Sequence, residues 1–337
     1  MPRETFRQVH VDRPLTNFSV AYFQDTNDFV SHRFFPSIGV NHASDKYTFY
    51  PGGYFNRIED SKRAEEGVAN TIGYKTVEHN YSCGDDALRT FISDRKRANV
   101  DVQRQLDHEA TILVTASLML GKEQEFVDNF MTAGKWTTER TGVAATPTGG
   151  QFLVWSDASS DPVKDVSAAR VEMIRVGKRR PNRGIMTLDV YETLRNHPDI
   201  LERIKYTGTS TAPAMAGVKA LAELFELEEI LIMQTVVNLA LEGVEDPDTG
   251  MPPTNDQFMA SGTFLMAHVV RSAGLMTPVA GLTFLHNRYI QQGIQGGPAV
   301  RRYRESPAKK GEYIEAEYSM DQKLVAPDLG CLMLNCI

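Results

Sequence analysis

The chain has 337 residues, 42% of them apolar and 23% charged, with a formal net charge of -7. That is the composition of a soluble globular protein, and it excludes collagen-like, disordered and disulfide-rich classes. Three cysteines (Cys83, Cys331, Cys336) are too few for a disulfide framework or a four-cysteine zinc site. The most apolar stretch, 112–121, is interrupted by Thr115 and Ser117 and falls short of the roughly 20 residues a membrane span needs. The first residues lack the apolar core of a signal peptide, so cytosolic synthesis is expected.

Residues 1–45 read as an extended N-terminal arm. Phe18, Val20, Tyr22, Phe29, Phe34, Phe35, Ile38 and Val40 follow no helical period, and Pro2, Pro14 and Pro36 interrupt them. Such a segment is expected to lie across something else. Residues 46–85 read as a long β excursion: Tyr47-Thr-Phe-Tyr50 and the run 74–83 are β-prone, and the stretch 56–67 between them is charged and turn-rich. Two strands have too little core to stand alone, so this excursion is expected to rest on a neighbour.

The spacing predicts a long helix over about 101–131, broken by no proline and only by Gly121. Leu106, Ala110, Leu113, Val114 and Leu120 mark one face and Ile112, Ala116 and Met119 another, so it is expected to be packed on two sides. Asp161-Pro162 predicts an N-cap with proline in the first turn, opening a helix that stops at Gly177. Strands are expected at 185–188, 229–233 and 262–270, with Asp189 capping a short helix and Thr211 and Pro213 opening another. Residues 182–290 thus read as a mixed α/β module. In the tail, Glu312, Ile314, Ala316 and Tyr318 alternate with Tyr313, Glu315 and Glu317, a strand pattern.

The charge is uneven. Residues 162–180 hold six Lys/Arg against two Asp/Glu, a basic island made by Lys164, Arg170, Arg175, Lys178, Arg179 and Arg180. It could touch a phosphate backbone, but a cationic helix end complementing its own dipole is the preferred reading. The remaining motifs are weak. His108-Glu109 lacks a second histidine for zinc. Asp246-Pro-Asp-Thr-Gly250 with Asp256 lacks the ligand spacing of a calcium loop. Thr148-Gly-Gly150 and Gly293-Ile-Gln-Gly-Gly297 lack a phosphate-binding context and read as turns. Cys331 and Cys336 read as small buried thiols. No catalytic residue, cofactor-binding residue or metal ligand is assigned.

The order of arm, β excursion, long helix, α/β module and β return resembles the major capsid proteins of tailed bacteriophages and prophages. The stretches that carry the likeness are Tyr74-Lys-Thr-Val77 to Asn99-Val-Asp101, Trp155-Ser-Asp157, Asp161-Pro-Val-Lys-Asp-Val166, Gly177-Lys-Arg-Arg-Pro-Asn182, Met186-Thr-Leu-Asp-Val-Tyr-Glu-Thr-Leu194, His197-Pro-Asp-Ile-Leu-Glu-Arg-Ile204, Leu221-Ala-Glu-Leu-Phe-Glu-Leu-Glu-Glu-Ile230 and Val325-Ala-Pro-Asp-Leu-Gly330. It covers about residue 20 to the end. The resemblance implies an α+β fold. Its parts would be an N-terminal arm (1–45), an extended loop (46–85), a peripheral domain (86–181 and 291–337) built on the spine helix, and an axial domain (182–290). It also implies a non-catalytic subunit without cofactor that self-assembles into hexamers and pentamers of an icosahedral head around double-stranded DNA. The implied partners are a separate scaffolding protein, a portal, decoration proteins and weakly contacted DNA, with no membrane. The implied location is the virion, assembled in the host bacterial cytoplasm. Some relatives cross-link through a loop lysine. Lys62 and Lys75 lie in that region, but no partner or catalytic acid is identified. Two alternatives stand beside this reading: an encapsulin-like nanocompartment shell, and a soluble α/β enzyme with an unrecognised site.

Overall fold

The computed structural model describes residues 29–63, 65, 67–99, 103–204, 217–240, 254–272, 274, 276–287, 298–306 and 309–337. The expected arm before residue 29, the acidic run 246–250 and the glycine-rich 293–297 lie outside them.

Two sheets and one long helix form the frame, beside two short helices, α1 (Ser31–Phe34) and α2 (Asp94–Ala98), and a separate strand pair, β9 (Val236–Asn238) and β10 (Asp256–Phe258). The larger sheet has six strands: β5 (Thr138–Val143), β6 (Gln151–Leu153), β7 (Arg183–Thr187), β8 (Glu229–Met233), β11 (Phe264–Ala267) and β15 (Gly330–Leu334), in the order β6-β5-β15-β11-β7-β8. Each central strand buries both faces, and the two-residue period of the side chains sorts them into two cores. Met186, Ile230, Phe264, Met266, Cys331 and Met333 point to one face. There they meet the helices α4 (Pro162–Gly177), α5 (Leu188–Arg195), α6 (Pro198–Ile204) and α7 (Val218–Leu224). Ile185, Leu231, Leu265 and Leu332 point to the other face, where they meet Phe34, Phe35 and the end of the spine helix α3 (Gln103–Phe130).

The second sheet has five strands. In it, β1 (Ser37–Val40) pairs parallel with β12 (Gly281–His286), which pairs antiparallel with the long β14 (Gly311–Leu324). β13 (Ala299–Tyr303) flanks β14 on one side and β4 (Gly84–Ser93) on the other. The spine, 28 residues and about 42 Å long, crosses from this sheet to the six-stranded one. Val114 and Leu118 pack on Ala316, Tyr318 and Met320, and Phe126 and Phe130 reach the second core.

Several expectations need correcting. The expected boundaries at 182 and 290 cut through both sheets. β5, β6 and β15, assigned to the peripheral part, complete the sheet of the axial module, because Leu332 and Met333 are needed to fill its two cores. β12, assigned to the axial part, instead carries β14 of the other sheet. The first half of the spine is buried along one stripe, Ala110, Val114 and Leu118, with Ile112, Ala116 and Met119 only half-buried and Leu113 47% exposed. The burial widens past residue 121, where Lys122, Glu123, Phe126, Val127 and Phe130 are all buried. Nor is the arm's end idle: Phe29, Val30, Phe34 and Phe35 are buried in their own subunit.

Local signals explain much of the rest. Asp161 caps α4 by accepting the Lys164 N–H at 3.0 Å, with Pro162 in the first turn. Gly177 closes that helix for a different reason than expected. The left-handed residue is Lys178 (φ 59°), whereas a Cβ on Gly177 would lie 2.2 Å from the Asp328 carbonyl. Asp189 sits inside α5 rather than capping it, and accepts hydrogen bonds from Val190 N and Gly262 N. The alternation expected at 312–318 is seen in β14, with Ile314, Ala316 and Tyr318 buried against the spine.

Candidate assembly surfaces

The chain's chemistry-bearing candidates do not converge. His108 and Glu109 are both exposed on the outer side of the spine. Thr148-Gly-Gly150 is a turn with Gly149 and Gly150 at positive φ. Among the described residues no group of three His, Cys, Asp or Glu side chains is placed to hold a metal, and no helix is long and apolar enough to cross a membrane. Burial pushes the Cys83 thiol up to about 11 and Cys331 up to about 12, and raises Cys336 as well, so none is a ready thiolate.

One pair looks like the start of a nucleophilic site. Ser160 Oγ lies 3.1 Å from His197 Nε2, and both residues are buried. The arrangement runs the wrong way for catalysis. Asp199 N–H donates to His197 Nδ1 at 3.3 Å, so the neutral ring carries its proton on Nε2 and donates from there. Ser160 Oγ meanwhile donates to the Asp157 carbonyl at 2.8 Å. The ring pins the turn between β6 and α4 to the turn between α5 and α6, and it cannot take the serine proton.

What the frame presents instead is surface. β2 (Ser44–Phe49) and β3 (Val77–Ser82) pair with each other and, among the described residues, with no other strand. Their base is anchored: Tyr81 stacks on Phe284 at 4.5 Å, in a small core with Cys83, Val279 and Leu282. Beyond residue 51 the side chains are exposed, although Gly52 still lies beside the Lys178 ammonium. Tyr50, Phe55 and Tyr74 gather into an aromatic knot with centroids 5.4–6.5 Å apart. Past the knot, Ile58 is 104% and Val68 94% exposed, with Ile72 also bare. Lys62 and Lys75 lie on this exposed stretch. Burying apolar area is worth roughly 25 cal/mol per Å², so this many bare large side chains mark a surface made to be covered.

The arm's end is held differently. Glu123, fully buried in the spine, accepts the N–H groups of Val30 (3.0 Å) and Ser31 (2.9 Å). Burial raises its carboxyl above the usual range, and those hydrogen bonds oppose the rise. Its neighbour Lys122 is also buried, and burial lowers the ammonium to about 8. Arg183 donates to the carbonyls of Arg33 (2.9 Å) and Phe34 (3.0 Å). Phe35 packs 4.6 Å from Phe130 and against Gly281, where a Cβ would lie 2.9 Å from the ring. No sequence motif marks Glu123; a carboxylate on a helix face is read by default as solvated.

The basic island splits in two. Arg170 is structural, paired with Glu226 at 2.9 Å and bonded to the Phe225 carbonyl. Lys178, Arg179 and Arg180 lie past the end of α4 and are exposed. Between β4 and the spine runs an open groove of about 580 Å³, lined by Leu88, Leu118 and Met320 and by the carboxylates Asp86, Glu125 and Asp321. Burial, with Asp86 and Asp321 adding repulsion, raises the Glu125 carboxyl.

The frame, a long helix laid across two sheets with a two-stranded ribbon, is matched in a solved phage capsid. No family model matches the chain. Two curated proteins do: the major capsid protein of Pseudomonas phage JBD67, 24% identical over 238 residues (69% of this chain, 71% of that protein), and the major capsid protein of Burkholderia phage BcepMu, 23% identical over 228 residues (67% and 69%). Among solved structures, a phage-related protein from Bordetella bronchiseptica superposes with a TM-score of 0.65 at 20% identity, covering 96% of this chain and 97% of that one. The capsid of cyanophage P-SCSP1u gives 0.55 at 11% identity (94% and 90%). A holo encapsulin complex from Synechococcus elongatus gives 0.51 at 10% identity (94% and 92%). The chain is therefore a homologue of phage major capsid proteins and has their α+β fold.

Proposed function

We propose that this protein is a major capsid protein whose copies self-assemble, as hexamers and pentamers, into an icosahedral phage head around double-stranded DNA. The observation that carries the reading is the ribbon. A segment of some 25 residues bares Ile58, Val68 and Ile72 to solvent and finds no core in its own subunit. Seated on neighbours, repeated around a closed symmetric assembly, the same residues become interior. The role is structural and non-catalytic, and the dispersed histidines, high-pKa thiols and donating His197 all fit it. The net charge of -7 suits a container that contacts its genome weakly, with scaffolding, portal and decoration proteins as further partners.

The test is negative-stain microscopy of the expressed chain, alone and with its genomic neighbours. Closed shells of uniform size are expected. A monodisperse monomer under all those conditions overturns the reading. An encapsulin-like shell is the second reading, favoured by the 0.51 superposition. Purified shells holding nuclease-protected DNA support the phage head, and shells holding protein cargo support the compartment.

A further inference from the structure

β4 is an edge strand. It pairs over its whole length, Gly84–Ser93, with β14, and among the described residues no strand covers its other edge. Residues 84–89 are all exposed, as is Phe91. A ten-residue edge with free N–H and C=O groups is a template for another strand, and proteins that keep such edges unpaired blunt them with proline, bulges or inward charges. β4 has no proline.

The pattern of charges along it says which strand fits. When two copies of one strand extend a sheet across a two-fold axis, each residue keeps its face, so the axis must pass through a residue rather than between two. Centring on Asp86 sets like charges opposite each other, and so does centring on Arg89. Centring on Leu88 brings no opposite charges together. Centring on Ala87 sets Asp85 of each copy opposite Arg89 of the other, twice, on the face away from the spine, and sets Leu88 beside Asp86 on the spine face. Opposite charges directly across an antiparallel pair are stabilising. Asp85 and Arg89 are both on the exposed stretch; Arg89 lies over the Tyr313 ring, 4.5 Å from its centroid, with Tyr303 Oη 3.2 Å and the Glu305 carboxylate 3.5 Å away, and pairing with Asp85 of a second copy would add a second carboxylate to the same guanidinium. The spine contributes to the same side. Leu113, Ser117 and Gly121, one ridge at four-residue spacing, are exposed, and Ser117 and Gly121 line the groove next to β4. Small side chains there leave room for a second spine to approach.

We propose that β4 pairs antiparallel with β4 of a second copy about a two-fold axis at Ala87, joining two five-stranded sheets into one. The occupant of the edge is the chain itself; the proposal does not depend on whether the resulting assembly holds DNA or protein.

The test uses the full chain with Ala87→Cys under mild oxidation. Directly opposed residues of an antiparallel pair stand within disulfide reach. A disulfide dimer on a non-reducing gel is expected, and the wild type, whose three cysteines are buried, is expected to give none. Asp85→Arg is expected to lower the dimer yield of Ala87→Cys about tenfold, and adding Arg89→Asp to restore it, since the double exchange rebuilds both pairs. Circular dichroism of each variant confirms that the subunit stays folded. An Ala87→Cys chain that stays monomeric and reacts freely with a maleimide overturns the proposal, because the edge is then open. One that neither cross-links nor reacts also overturns it, because something other than β4 then covers the edge. Failure of the double exchange to restore the dimer overturns the register.

Discussion

Residues 29–40 and residues 50–76 have the same look in the sequence: aromatic and aliphatic residues without a helical period, broken by proline and glycine. In space they are opposites. The first segment is fixed by Glu123 and Arg183 on its backbone and by Phe126 and Phe130 under its rings. The second, above the Tyr50-Phe55-Tyr74 knot, touches little of its own body and leaves Ile58 and Val68 bare. Apolar residues without periodicity therefore do not tell whose core they belong to. The difference lies in the receiving surface: for residues 29–40 the subunit supplies a buried carboxylate and an aromatic floor, and among the described residues none buries Ile58, Val68 or Ile72 past the knot.

Four measurements press on that contrast. Phe34→Ala removes a fully buried ring from the spine–sheet core and is expected to cost about 3–5 kcal/mol in urea unfolding of the subunit. A loss below about 1 kcal/mol would place Phe34 among the residues waiting for a neighbour. The buried Lys122 gives a pH signature beneath the same segment. Its folded-state value near 8 lies below the ordinary 10.5, so between those pH values the unfolded chain holds the proton and the folded one does not. Stability is expected to rise across that window, by up to roughly 3 kcal/mol, and Lys122→Met is expected to flatten the rise. An unchanged slope in the variant assigns the titration elsewhere.

On the other side of the contrast the effects on the subunit are small. Leu113→Asp on the outer ridge of the spine is expected to change subunit stability by less than about 0.5 kcal/mol, since the charge stays in water. Unfolding of this variant would mean that the ridge is internal. Deleting residues 52–72 is expected to leave the melting transition of the isolated subunit nearly unmoved while abolishing stable shells by microscopy. A collapsed dichroism spectrum would move this segment into the subunit's own fold.

Much of the architecture was legible because it rests on local chemistry. Asp161-Pro162 announces α4, the apolar run at 229–233 announces β8, and the alternation through Ile314, Ala316 and Tyr318 announces β14. Long-range decisions were not legible. Nothing near Leu332 says that its strand inserts between β5 and β11, and so the domain boundaries at 182 and 290 miss the true grouping. The two-sided spine failed for a related reason: Leu113 has the period of a core residue, but the sheet beneath reaches only the Val114–Leu118 stripe. Of the assembly surfaces, the ribbon could be foreseen from its length and lack of core. Glu123 and the open edge of β4 could not, because both depend on what stands opposite them.

The position of β15 also sets a timetable. The strand Gly330–Leu334 is the keystone of the six-stranded sheet, with β5, some 190 residues earlier in the chain, on one side and β11 on the other. Pairing at such sequence separation is slow, and it closes a large loop before it brings any reward. Until that strand is made and inserted, Leu332 and Met333 are missing from both cores and the spine has no finished floor. A nascent chain at the ribosome therefore has its sticky ribbon well before it has a body to carry it. The interval between synthesis of the ribbon and insertion of this strand is when the chain is most exposed to aggregation and most in need of a chaperone.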